Sequence, residues 1–196
     1  MGEVDSVADL EAQLRRTFIP MVLRVDVPLL VRARRAAKDQ SWSSLQEIDR
    51  LSAALRWSSE QREAASRMGA RRLRLLKRVL HPPAIQEHFA FLAGSLPYTQ
   101  ACVVAGAEAA LLAIPAKASA IAFGYQAMAG IVLAAVKLLR IGPFEGQKLL
   151  QQSVAEILAG LDRVLDFREE EIGWFAPSLD IASARHARAN ERQFLT

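Results

Sequence analysis

The sequence has 196 residues, of which 52% are hydrophobic and 23% are charged. This composition is typical of a globular protein long enough to bury a core, and it excludes a disordered chain. The net charge of +4 is unevenly placed, because residues 11–81 hold sixteen Lys and Arg against seven Asp and Glu, a net of +9. A basic half of this kind suggests an acidic partner surface or, less favoured, nucleic acid, but on charge alone a solvated arginine-rich face is the favoured explanation.

The first part of the chain predicts a series of amphipathic helices. One runs from Val7 to Phe18, and a second from Pro28 to Lys38, because a proline is tolerated in the first turn of a helix. A third helix begins near Ser43 or Ser44, since Ser44 and Glu47 have the spacing of a capping box. These segments lack the alternating apolar pattern of strands.

A fourth helix starts around Ser58 or Ser59 and ends near His81, where two prolines follow. It has an apolar side and a side crowded with arginines, which an ordinary amphipathic helix with a charged back explains. No aromatic residue is interleaved with the arginines, so the pattern is not that of a nucleic-acid module. Another helix runs from about Pro83 to about Gly94.

The centre of the chain, residues 96–139, is rich in small residues and predicts two helices that Pro115 and Lys117 separate. The nineteen residues from Ala118 to Val136 carry no formal charge, which meets the length criterion for a membrane span. Alanine and glycine make up about half of them, however, and the residues that drive insertion are few. The sequence therefore favours a buried core helix over a transmembrane one.

After Gly142 and Pro143, a stripe of Leu, Ile and Val at helical spacing predicts a long final helix, and the tail from Pro177 predicts a short helix or an ordered strap. The predicted fold is all-α, a single compact bundle of about seven to nine helices. One domain is expected over residues 1–196, with residues 177–196 as a partner-binding tail. The single cysteine, Cys102, lies in an apolar run and predicts a small buried side chain in a protein of the reducing cytoplasm.

No catalytic constellation is recognisable in the sequence. The three histidines, His81, His88 and His186, lack motif spacing and a cysteine partner, so no metal site is expected. Neither a phosphate-binding loop nor a nucleophile elbow occurs. The sequence predicts a protein that is not an enzyme and binds no cofactor itself.

Three blocks follow one another from residue 60 onward: EQREAASRMGARRLRLLKR at residues 60–78, RIGPFEGQKLL at residues 140–150, and PSLDIASARHARANERQFL at residues 177–195. In this order they resemble the UreF family of urease accessory proteins, over roughly residues 10–196. The residues that carry the resemblance are Glu60, Arg62, Ser66, Met68, Gly69, Leu75, Leu76, Gly142, Pro143, Gly146, Gln147, Leu149, Leu150, Leu179, Asp180, Ile181, Ala182, Ser183, Arg185, His186, Arg192 and Phe194.

The resemblance implies an all-α fold and a non-catalytic role. UreF proteins bridge a UreD/UreH-type accessory protein and the GTPase UreG, and the assembly delivers nickel to the urease apoenzyme. Nickel and GTP would then be handled by the partner proteins, and the chain could form a homodimer. Neither nucleic acid nor a membrane is expected as a partner.

Two segments are the predicted partner-binding sites. In the tail, charge-assisted hydrogen bonds and an aromatic anchor could come from Arg185, His186, Arg188, Arg192 and Phe194. The second segment is the turn that contains Gly142, Pro143, Gly146 and Gln147. In each segment a structural explanation stays open, because Phe194 could dock the tail on its own bundle and the turn could simply break a helix.

The chain also departs from the family pattern. The usual opening segment, similar to LPVGAFSYSQGLE, has no counterpart here, and Ala187 stands where the family has a glutamate. A shortened or diverged member is therefore expected. The alternatives are a helical protein-interaction module without a urease role, a basic nucleic-acid-binding protein, or a membrane hairpin.

Overall fold

A computed structural model of the protein describes residues 4–78 and 82–186. Within these residues the secondary structure is helical and contains no strand, which confirms the all-α class. The α-helices are α1 Val7–Gln13, α2 Ile19–Met21, α3 Val27–Lys38, α4 Trp42–Ala54, α5 Ser59–Leu76, α6 Pro83–Ser95, α7 Ala101–Leu111, α8 Ala116–Leu138, α9 Pro143–Val164 and α10 Pro177–His186. Two π-helical segments, Leu14–Phe18 and Val22–Asp26, join α1 to α2 and α2 to α3, and a 3₁₀ turn covers Glu169–Glu171.

The predicted break between residues 18 and 28 is wrong, because helical backbone continues from α1 to α3 without interruption. A proline cannot donate to the carbonyl four residues before it, and each wide π-turn lies just before a proline, Pro20 or Pro28. The Arg24 carbonyl, which Pro28 leaves without its helical donor, accepts the N–H of Gly173 at 3.1 Å. Counting α1–α3 as one helix, the described residues hold eight, within the predicted range.

Two other helix ends differ from the expected positions. α4 begins at Trp42, with Ser41 at its N-cap position, rather than at Ser43 or Ser44. The Ser41 hydroxyl donates to the Ser44 hydroxyl at 2.8 Å, so Ser44 does not cap a later start. α5 ends at Leu76, several residues before the prolines that were expected to stop it, and a turn follows over residues 77–78.

The described chain divides into two compact units. One holds the described residues up to Pro28 together with Lys117–Ala176; the other holds Leu29–Ala116 and the described residues from Pro177 onward. The single domain expected over residues 1–196 stays a prediction.

The first unit is built around a core in which the N-terminal helical segments meet α8 and α9. Its most deeply buried members include Leu14, Val22, Met128, Ile157 and Leu161. Two helix glycines let neighbouring side chains approach: a Cβ on Gly160 would lie 2.7 Å from a Leu23 methyl group, and one on Gly124 would lie 3.2 Å from Ile157.

Helix α8 buries only one of its faces. Ala120, Gly124, Met128 and Val132 lie at four-residue steps on the buried side, whereas Leu133 is exposed. Of the described helices, α8 alone is long and apolar enough to cross a membrane by length and composition, and a third of its most apolar 18-residue window is buried. A single helix of this kind is weak evidence for a membrane span, so the membrane-hairpin alternative gains little.

The second unit is organised around α7, an apolar helix against which α4, α5 and α6 pack. Its buried side chains include Leu30, Leu45, Leu73, Phe89 and Leu92. Backbones approach closely at Gly106, where a Cβ would overlap the Leu30 carbonyl. Arg72 of α5 pairs with Glu108 of α7, whose side chain is largely buried.

Cys102, in the first turn of α7, is fully buried, as predicted. Its Sγ lies 3.3 Å from the Ser52 hydroxyl oxygen. Arg56, itself buried, donates to the Ser52 carbonyl at 2.8 Å and to the Ser52 hydroxyl at 3.0 Å. The thiol is thus enclosed by packed and hydrogen-bonded groups, an environment typical of an inert structural cysteine.

Candidate partner-binding surface

The N-terminus of α5 is fixed by local hydrogen bonds. Ser58 is the N-cap, and its Oγ accepts the Gln61 N–H at 3.1 Å, which satisfies one of the free donors of the first turn. Arg62 reaches back to the preceding loop and donates to the carbonyls of Arg56, at 2.7 Å, and Trp57, at 3.1 Å. The start of α5 is therefore a rigid place for another segment to dock.

Helix α10 docks on this end of α5 through three side-chain hydrogen bonds. The Ser58 hydroxyl donates to Ser183 Oγ at 2.8 Å, because Ser183 in turn donates to Glu60 at 3.3 Å. Gln61 Nε2 donates to Asp180 Oδ1 at 3.0 Å. Residues of the first and third sequence blocks thus lie against each other in the second unit.

The side of α10 that faces away from these contacts is exposed. Asp180 and Ser183, three residues apart, point to α5, whereas Ile181 is 51% exposed and Arg185 is exposed as well. An apolar anchor beside a guanidinium is the kind of pair that carries energy in protein interfaces. Within the described residues, α10 is bound on one side and available on the other.

The remaining predicted tail residues fall outside what the structure describes. Arg188, Arg192 and Phe194 lie beyond residue 186, and of His186 only the helical backbone is described. Their partner contacts stay predictions, and so does the alternative that Phe194 docks on its own bundle.

The second predicted segment, Gly142 to Gln147, lies in the first unit and opens α9. Gly142 is the N-cap and Pro143 the first helical residue, an arrangement that suits the fixed φ of proline. Gly142, Pro143 and Gln147 are exposed, and Phe144 between them is 90% exposed. This exposure fits a surface segment, and its partner contact stays a prediction.

Gly146 differs from its neighbours, because it is buried and packs against α8. A Cβ at this position would lie 2.8 Å from a Val136 methyl group. We expect Gly146→Ala to lower the free energy of unfolding by about 1 kcal/mol, since a short side chain must shift to admit it. Urea unfolding followed by circular dichroism measures this. Gly130→Ala, where no atom lies within 4 Å of the added Cβ, is the matched control. An unchanged stability of Gly146→Ala would show that this close contact does not constrain the fold.

The first sequence block also holds a close contact with the loop before α7. A Cβ on Gly69 would overlap the Thr99 carbonyl oxygen, and Ser66 Oγ lies 3.4 Å from the Thr99 hydroxyl. Thr99 adopts a φ of 52°, a left-handed conformation that is uncommon for a residue with a side chain. Ser66 and Gly69 thus serve the fold of the second unit rather than an external contact.

Asp49, on α4, holds the same loop from the other side. Its carboxylate accepts the N–H groups of Tyr98 at 2.6 Å, Thr99 at 3.0 Å and Gln100 at 2.8 Å. Burial raises the pKa of Asp49 above its ordinary value, although these N–H groups and the nearby Arg50 oppose the shift. The carboxylate supplies acceptors that the loop backbone otherwise lacks.

Metal-ligating side chains are not gathered in the described part of the chain. No group of three or more His, Cys, Asp and Glu that could hold a metal ion occurs in residues 4–78 and 82–186. The ring Nδ1 of His88 lies 2.7 Å from the Ala84 carbonyl, one turn earlier on α6.

Sequence reasoning missed Trp57, which directly precedes the N-cap of α5 and is 73% exposed. A hydrophobic residue there often packs against the fourth residue of the helix, but that residue is Arg62. Because Arg62 is polar, the sequence already indicated that Trp57 has no apolar partner at this position of α5. Trp57 is the chain neighbour of Ser58, whose hydroxyl contacts Ser183 of the docked α10.

Comparisons with known proteins agree with this arrangement of blocks. The UreF family model matches residues 4–154. The chain belongs to the UreF family. It is 33% identical over 199 residues to the urease accessory protein UreF of Pseudomonas putida (strain GB-1), covering 98% of this chain and 84% of that protein. The Enterobacter sp. (strain 638) protein of the same name is 31% identical over 170 residues, covering 87% of this chain and 73% of the relative.

A relative of lower percentage identity has the same name. The urease accessory protein UreF of Arthrobacter sp. (strain FB24) is 28% identical over 158 residues, which cover 78% of this chain and 68% of the relative. The family match ends at residue 154, before α10, but the alignment with the GB-1 protein spans nearly the whole chain. The sequence-based assignment to this family is thereby confirmed.

Proposed function

We propose that the chain acts as a non-catalytic scaffold in urease maturation. In this role it bridges a UreD/UreH-type accessory protein and the UreG-type GTPase while nickel is inserted into the urease apoenzyme in the cytoplasm. Membership of the UreF family supports the accessory role. Nickel and GTP would be handled by the partner proteins.

The observation that carries the proposal is the two-sided arrangement of α10. One side is fastened to α5 by Asp180 and Ser183, and the other exposes Ile181 and Arg185. A docked helix loses little conformational entropy on binding, so its free side chains can contribute most of their interaction energy. We assign the UreD/UreH-type partner to this surface, together with the predicted contacts of the residues that follow.

The first test is co-purification of the full chain with the UreD/UreH-type and UreG-type proteins of its source organism, followed by light scattering. We expect a stable complex with the wild-type chain. The double variant Ile181→Ala with Arg185→Glu should weaken it at least tenfold, because it removes an apolar anchor and reverses a charge without touching the α5 contacts. A chain truncated before Pro177 should lose the complex.

Leu158→Ala with Arg163→Glu, two exposed positions on α9, is the matched control and should bind normally. A complex that tolerates the α10 variant would contradict the assignment of this surface. If the folded wild-type chain forms no complex at all, the urease role is withdrawn, and a helical interaction module without that role remains. Hydrolysis of GTP by the purified chain alone would contradict the non-catalytic role.

A further inference from the structure

The outer face of α5 is a second surface that the scaffold proposal does not use. It lies on the side of the helix opposite the buried Gly69 and Leu73, and away from the α10 contacts in the first turn. Six exposed side chains form it: Ala64, Arg67, Met68, Arg71, Arg74 and Leu75.

Two large apolar side chains stand on this face. Met68 is 58% exposed and Leu75 is 61% exposed, and they lie seven residues, or about two turns, apart. With Ala64 and Arg71 they follow steps of four, three and four residues, the spacing with which one helix packs along another. Ala64, Met68 and Leu75 therefore form a narrow apolar seam, interrupted by Arg71, of the width that a single partner helix covers.

The charges around the seam are predominantly positive. From Ala64 to Arg78 the sequence contains no Asp or Glu. Arg67 is paired with Glu63 at 2.8 Å and Arg72 with Glu108, but in the part of the chain that the structure describes Arg71 and Arg74 have no ion pair. Arg71 within the seam and Arg74 beside it therefore carry guanidinium groups that form no ion pair among the described residues.

Three kinds of partner can bind a basic helix, and the structure favours one. A membrane-surface helix inserts a broad apolar face into lipid, yet the broad apolar face of α5 is already packed against α6 and α7. Nucleic-acid binders add aromatic stacking side chains, and α5 has none. A narrow apolar seam between arginines instead matches a helix with apolar residues on one stripe and acidic residues beside it.

We propose that the outer face of α5 binds an acidic amphipathic helix of a protein partner. Met68 and Leu75 pack into the apolar stripe of that helix, and Arg71 and Arg74 pair with its carboxylates. This inference goes beyond the scaffold proposal and does not depend on it, because it uses no residue of α10.

The probe for the test is a synthetic peptide of about four heptads with Leu at the a and d positions and Glu at e and g. Its glutamates repel one another, so the peptide alone is largely unfolded and monomeric. Binding to the full chain is followed by the anisotropy of a labelled peptide, and its folding by circular dichroism. We expect a dissociation constant on the order of 10 μM and a gain of helix. A peptide with Lys at e and g should not bind.

Two double variants separate the contribution of the charged side chains to peptide binding from that of the apolar ones. Arg71→Glu with Arg74→Glu should weaken binding at least tenfold, and Met68→Ala with Leu75→Ala should weaken it about tenfold. The matched controls are Arg35→Glu with Lys38→Glu, exposed on α3, and Leu133→Ala with Leu158→Ala, exposed on α8 and α9. Thermal unfolding confirms that each variant is folded.

Parallel titrations with a random-sequence DNA duplex and with phosphatidylglycerol vesicles test the other two classes. The proposal is overturned if the acidic peptide does not bind, or if the controls weaken it as much as the α5 variants do. Tighter binding of DNA or vesicles than of the acidic peptide also overturns it. So does peptide binding that is insensitive to Met68→Ala with Leu75→Ala, because the attraction would then be charge alone.

Discussion

Gly69→Ala is expected to lower the free energy of unfolding by about 3 kcal/mol or more, although alanine is a far better helix former than glycine. In an exposed helix the same change gains up to about 1 kcal/mol. At position 69, however, the new Cβ overlaps the Thr99 carbonyl oxygen, which is backbone and cannot rotate away. Either α5 must move off the loop before α7, or the loop must give up its hydrogen bonds to Asp49. Urea unfolding at pH 7 measures the loss.

Gly94→Ala is the matched control, since Gly94 lies on α6 in the same unit and a Cβ added there would meet no atom within 4 Å. It should leave stability unchanged or raise it by up to about 1 kcal/mol. Equal stabilities of the two variants would show that the close approach at Gly69 does not constrain the fold.

Asp49→Asn is expected to cost about 1–3 kcal/mol at neutral pH. Two of the three N–H donors can bond to an amide oxygen, but the amide nitrogen that replaces the second carboxylate oxygen is a donor. The third N–H then faces another donor in a buried place and stays unpaired. Urea unfolding of both proteins measures the difference. Glu47→Gln, at an exposed position of the same helix, is the control and should change stability little.

The pH dependence of this difference follows from the raised pKa of Asp49. A carboxyl group whose pKa is higher in the folded state binds protons more tightly there, so its contribution is fully present below its unfolded pKa and is lost as pH rises through the folded value. The advantage of the wild type over Asp49→Asn should therefore be largest in acid and decline above the ordinary aspartate range. If the stability of the wild type relative to Asp49→Asn instead grows with pH, the three hydrogen bonds lower the pKa of Asp49 more than burial raises it.

The helices could be predicted largely because their signals are local. Ser58 before an acidic first turn and Gly142-Pro143 before an apolar stripe locate the starts of α5 and α9 within a residue. The continuous helix across Pro20 and Pro28 could not be predicted. It requires π-turns, and at Arg24 the carbonyl finds its donor in Gly173, about 150 residues away. A proline in the sequence is compatible both with a break between two helices and with a continuous helix that contains a π-turn.

The sequence singles out the three blocks, but it does not show which of their residues are buried and which are exposed. All three blocks were singled out as one signature. The structure separates Gly69 and Gly146, which are buried at close contacts, from Ile181, Arg185 and Gln147, which are exposed. Only packing distances distinguish a glycine retained for space from a residue available to a partner. Trp57 was overlooked because its exposure depends on the lack of an apolar partner in α5.

The enclosed thiol of Cys102 makes the chain its own reporter of transient opening. Because it is the single cysteine in the sequence, any covalent label on a thiol must be at this one place. Its burial against Ser52 means that a maleimide can reach it only when α4 and α7 separate. The labelling rate of the native protein therefore counts how often the second unit opens. A partner that holds this unit closed would slow that rate without touching the cysteine.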